Sequence, residues 1–76
     1  MDIYFEIKKA EKIEIKSKED LELIRTYYFS KLGLLPKIYN YAILQKSSEC
    51  SKILNDLNRI RGIVDRKIND YLNITI

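Results

Sequence analysis

Hydrophobic residues follow two rhythms along this chain. Ile3, Phe5 and Ile7 alternate with Tyr4, Glu6 and Lys8, and Ile13 and Ile15 alternate with Lys12, Glu14 and Lys16. A period of two is that of a half-buried strand. Residues 1–16 are therefore expected to form a short β segment. It is either a loose hairpin, which we prefer, or one ordered strand after a looser lead-in, because the linking Lys8-Lys9-Ala10-Glu11 lacks tight-turn chemistry. From Ser17 onward the rhythm lengthens. Ser17 with Asp20 three residues later reads as a capped helix start. A helix is expected over residues 18–32, with Leu21, Ile24, Tyr28 and Leu32 on one face. Gly33 is placed for a left-handed helix stop, and Pro36 for the first turn of a second helix over 36–46. That helix lines up Ile38, Tyr41, Ala42 and Gln45. Ser47 and Ser48 can cap a third helix over 49–72. Its apolar residues Ile53, Leu57, Ile60, Val64, Ile68 and Tyr71 are spaced 4-3-4-4-3 and form one narrow seam. Gly62 inside it costs about 1 kcal/mol relative to alanine. The fold class expected is mainly α, a single domain with a short N-terminal β segment, a two-helix core and a long C-terminal helix.

Length sharpens this picture. A chain of 76 residues has room for one domain and gains only about 3–5 kcal/mol from a single core. The usual supplements are disulfides, metals or self-association. One cysteine, Cys50, and no histidine remove the first two, so no cofactor or metal is expected. Self-association remains, and a hydrophobic share of 46%, with 13 isoleucines, suits a homodimer or larger even oligomer. The formal charge of +3 is mildly basic and spread over both halves. It permits nucleic-acid binding without requiring it. The apolar start is short and soon followed by Lys8 and Lys9, unlike a signal peptide, and no run is long enough to span a bilayer. A cytoplasmic protein without membrane partners is expected, and the sequon at Asn73-Ile74-Thr75 is read as accidental.

Residues 12–48 resemble the ribbon-helix-helix (MetJ/Arc) superfamily of DNA-binding dimers. The likeness is carried by the Ile13-Glu14-Ile15-Lys16 strand, the Ser17-capped helix, the Gly33 corner and the short helix behind Pro36. The turn from Gly33 to Glu49, with its Gly-x-x-Pro corner and Ser-x-Glu exit, is also similar to the DndE family of DNA-phosphorothioation proteins. The resemblance implies that one strand per subunit pairs into an antiparallel ribbon. Ile13 and Ile15 would then face the shared core. Lys12, Glu14 and Lys16 would face the major groove, where lysine suits guanine acceptors or phosphate, and Glu14 suits a cytosine amino group. It also implies a phosphate anchor at the start of the second helix, where Lys37 lies. A hydrophobic corner made by Leu34 and Leu35 is the competing reading there.

Further features remain open between a binding role and an ordinary surface. Tyr27, Tyr28, Tyr39 and Tyr41 can stack bases, but aromatics at helical spacing more often serve a core or rim. Lys52, Arg59 and Arg66 recur every seven residues and can track phosphates. Lys52–Asp56, Arg61–Asp65 and Arg66–Asp70 are each four apart, so local charge pairing is expected to answer that stripe. Ile53, Leu57, Ile60 and Val64 are expected at an oligomer interface together with Ile13 and Ile15. No residue set supports catalysis. Cys50 is read as a small core residue rather than a reactive thiol. The function expected is a small, non-catalytic, dimeric regulator or DNA-modification accessory protein on duplex DNA. The alternative is a protein-interaction or assembly module, antitoxin-like or inhibitory, that uses the C-terminal helix and no DNA.

Overall fold

The computed structural model describes residues 2–75, and Met1 and Ile76 lie outside it. Four helices follow one another: α1 (Ile3–Glu11), α2 (Lys18–Phe29), α3 (Leu34–Ala42) and α4 (Ser47–Thr75). At about 1.5 Å per residue, the 29 residues of α4 account for the longest dimension of the molecule, 44 Å. α1 and α3 pack against α4, and α2 packs against α3.

The expected β segment is absent: there is no strand among the described residues, and α1 occupies the place of its first half. Asp2 explains the start of α1, because its carboxylate accepts the Phe5 backbone N–H at 3.0 Å. Ile7 and Ala10 are buried, and Ile3 is half-buried beside them, a spacing of four and three along one helix face. Lys8 and Lys9 sit in the last turn, where the helix dipole favours cations. Lys67 of α4 completes that end by donating from Nζ to the Glu11 carbonyl at 3.0 Å.

Residues 12–16 are a connector. Its alternation survives as burial alone: Ile13 and Ile15 are half-buried against the core, while Lys12, Glu14 and Lys16 are exposed. With no ladder partner, this segment forms no ribbon. Ser17 then caps α2 as expected, its hydroxyl accepting the Asp20 N–H at 3.1 Å. The Asp20 carboxylate reaches back to the Lys16 N–H at 3.0 Å.

α2 ends at Phe29, short of the expected Leu32. The Ser30 hydroxyl donates to the Thr26 carbonyl at 2.6 Å, and the Gly33 N–H donates to the Ser30 carbonyl at 2.8 Å. These bonds close a corner rather than extend the helix, leaving Leu32 83% exposed. Gly33 is not left-handed. It caps α3 at φ −77°, in extended backbone. A glycine is needed for another reason: a Cβ there would lie 2.9 Å from the Tyr27 carbonyl oxygen and 3.0 Å from that of Ser30. α3 begins at Leu34, so Pro36 occupies its first turn, and it ends at Ala42 rather than Lys46. α4 starts two residues before the expected Glu49 and runs past Leu72.

The core gathers Ile7 and Ala10 from α1, Leu21 and Tyr28 from α2, Leu35, Ile38 and Ala42 from α3, and Ile53, Ile60, Val64 and Ile68 from α4. The α4 seam thus closes onto its own chain. Tyr28 is 1% exposed, with its ring edge-on to Tyr27 at 4.7 Å. Burial, reinforced by Tyr27 and then Glu6, pushes its hydroxyl up to about 12 from an ordinary 10.0. The fold therefore favours the neutral phenol. That contribution is whole below pH 10 and is lost as pH rises from about 10 through about 12. The thermal midpoint is expected to fall across that interval, and Tyr28→Phe should flatten the fall. Melts of both proteins in steps of pH check this; parallel curves would reject the assignment.

Candidate interaction surface

The structure disperses the residues expected to read DNA. Lys12 ends α1, its N–H bonded to the Lys9 carbonyl. Glu14 and Lys16 come together, but as an exposed ion pair at 3.1 Å, so each answers the other's charge. Lys37 stands exposed in the first turn of α3, its N–H already committed to the Gly33 carbonyl. Without a strand, Lys12, Glu14 and Lys16 form no groove-reading face.

The expected interface residues also move. Ile53, Ile60 and Val64 are buried in the protein's own core, and Ile13 and Ile15 pack half-buried against it. Burial within a single chain removes the first three from any surface between chains. Leu57 differs: it packs on the core and also lines an open groove.

That groove lies between α4 and the α2–α3 corner. One depression, of about 220 Å³, is lined by Phe29, Leu35, Pro36, Tyr39, Leu57 and Arg61. The next, of about 270 Å³, is lined by Arg25, Phe29, Asp65 and Ile68. Phe29 belongs to both and joins them. It ends up there because α2 stops at that residue and the corner turns away. Tyr39 sits on the same side of α3, half exposed. Sequence reasoning placed Tyr39 at the corner but missed Phe29, which fell outside the apolar face drawn for a helix running to Leu32.

On the α1 side of α4 the surface is mixed. A cleft of about 750 Å³ carries Asp2, Glu49, Asp56, Lys52 and Arg59 around the apolar Ile3, Tyr4, Ile7, Tyr41 and Ile53. A smaller hollow of about 450 Å³ carries Arg59, Arg66 and Lys67 beside Glu11. The expected pairs Lys52–Asp56, Arg61–Asp65 and Arg66–Asp70 do not close: among the described residues the ion pairs are Lys8–Glu11 and Lys16–Glu14. Exposed side chains four apart gain little from contact, and water competes with it. Lys9 instead donates from Nζ to the Tyr27 hydroxyl at 2.9 Å, a bond that raises its pKa. One Glu6 carboxylate oxygen is buried without a hydrogen-bond partner among the described residues.

No group of metal-binding side chains occurs among the described residues. No helix among them is long and apolar enough to cross a membrane. Cys50 is a half-buried free thiol on α4. Comparison of the chain with protein-family models, with curated proteins and with solved structures gives no match.

Proposed function

We propose that this chain is a non-catalytic protein-interaction module that docks another protein across the groove over Phe29. The supporting observation is surface left uncovered. A compact chain of 9.1 kDa exposes about 4,900 Å², whereas this one exposes 5660 Å². Its radius of gyration, 13.3 Å, likewise exceeds the roughly 11.4 Å of a compact domain this long. The excess, roughly 750 Å², is close to the share each partner gives to a standard protein–protein interface. Phe29, 38% exposed, and Tyr39, 50% exposed, bring apolar surface into the groove beside Leu57. A photo-reactive residue replacing Tyr39 should yield an adduct of discrete mass in cells, while the same residue at Asn55, on the polar back of α4, should not. Equal or absent adducts from both positions would remove the proposal.

A second reading, binding to duplex DNA, rests on a different face. Arg59 and Arg66 lie one above the other on an exposed face of α4 with no carboxylate in ion-pair range among the described residues, and Asn55, Asn58 and Asn69 are exposed nearby. Arginine and asparagine suit phosphates and base edges. This reading expects a duplex mobility shift at low salt that fades steeply as salt rises and weakens in the Arg59→Ala/Arg66→Ala variant.

A further inference from the structure

The groove's occupant can be read from the order of residues along α4. Leu54 and Leu72 are 18 residues apart, five full turns at 3.6 residues per turn, so they stand in line on the helix. Arg61 and Asp65 lie between them, one on either side of that line. The spacing Leu54–Arg61–Asp65–Leu72 is 7-4-7, symmetric about residue 63. The middle of the stripe faces the α2–α3 side, where Arg61 and Asp65 border the two halves of the groove, and Leu54 and Leu72, on the same line of α4, are half-buried against the core.

Such an order is self-complementary. A two-fold axis across α4 at the level of residue 63 sets a second helix antiparallel to the first. It brings Arg61 against Asp65 of the second copy, and Asp65 against Arg61, while Leu54 meets Leu72 at both ends. An isologous contact demands this pairing of i with j and j with i. Arg25, Arg61 and Asp65 have no ion-pair or hydrogen-bond partner among the described residues, so all three are available to it. Phe29 and Leu57, left open in one copy, would be covered by the other. The uncovered surface matches what one subunit contributes to a stable dimer.

We infer that the groove binds a second copy of this chain, through an antiparallel α4–α4 crossing centred between Arg61 and Asp65. This rests on the protein-interaction reading and names the partner in it. The order also distinguishes self-pairing from a foreign helix, which would have no reason to find a palindromic stripe.

Charge exchange tests it on purified protein. The wild type should have twice the chain mass by light scattering. Arg61→Asp alone, or Asp65→Arg alone, sets like charges across the axis and should weaken the dimer about tenfold or more. The double variant Arg61→Asp/Asp65→Arg exchanges the pair and should restore the dimer. Both positions are exposed, so helicity should hold in all four proteins by circular dichroism. A wild-type monomer at about 100 µM overturns the second copy as occupant; the Tyr39 adduct then decides the parent reading by itself. A dimer indifferent to the single changes, or not restored by the double, overturns the axis while leaving protein interaction standing.

Discussion

Ile60→Ala and Ile38→Ala are each expected to leave the chain mostly unfolded at physiological temperature. Both side chains are 0% exposed and stand where α3 meets α4, so no solvent-facing relaxation can refill the space. Truncating a fully buried isoleucine costs about 2–5 kcal/mol, the lost transfer energy plus the cavity left behind. A single core of this size supplies about 3–5 kcal/mol in all. The two figures are of the same order, so one truncation is enough. Leu44→Ala provides the contrast. Leu44 is 82% exposed beyond the end of α3, and its loss should change stability by less than about 0.5 kcal/mol. Circular dichroism melts separate the cases, and cooperative melting of Ile60→Ala near the wild-type midpoint would contradict the packing described.

The two glycines should respond to alanine with opposite sign. At Gly33 the new methyl meets backbone on every side, at 2.9–3.0 Å from Tyr27, Tyr28 and Ser30. Backbone held by the last turn of α2 cannot swing aside as a side-chain tip can. The corner must open, and Gly33→Ala is expected to cost about 1–3 kcal/mol. At Gly62 a Cβ meets nothing within 4 Å. The residue lies in the middle of α4 and is exposed, so Gly62→Ala should gain about 1 kcal/mol through helix propensity. Urea midpoints for the two variants should move in opposite directions; a neutral Gly33→Ala would show that the corner yields.

Local signals with one physical meaning were legible in the sequence. Ser17 capped the helix it was expected to cap, Pro36 fell in a first turn, and the α4 seam was buried at Ile53, Ile60, Val64 and Ile68. The N-terminal segment was misread because its spacing fits two periods. Ile3 and Ile7 are four apart, a separation that returns to the same face in a strand and in a helix alike. Ala10, seven residues after Ile3 and fully buried, fits only the helix, and Asp2 as N-cap points the same way. With no strand among the described residues, the ribbon expected from residues 12–16 is absent, and the connector there packs Ile13 and Ile15 against the core instead. The burial of the seam was visible in the sequence, but its partner was not. Periodicity reports which residues leave water and says nothing about which chain covers them. The groove was harder still, since Phe29 depends on where α2 stops, and Ser30 and Gly33 decide that through bonds to nearby carbonyls.

The position of α4 in the chain has a consequence for synthesis. α1 leans on a helix that begins 36 residues after α1 ends, and Lys67 reaches back 56 residues to seal α1 at Glu11. While the polypeptide leaves the ribosome, the first three helices emerge before the surface on which α1 and α3 rest. Nine-residue helices are marginal in water without such a surface. α1 therefore gains its packing surface only after α4 has emerged, whereas α2 and α3 can already lean on each other.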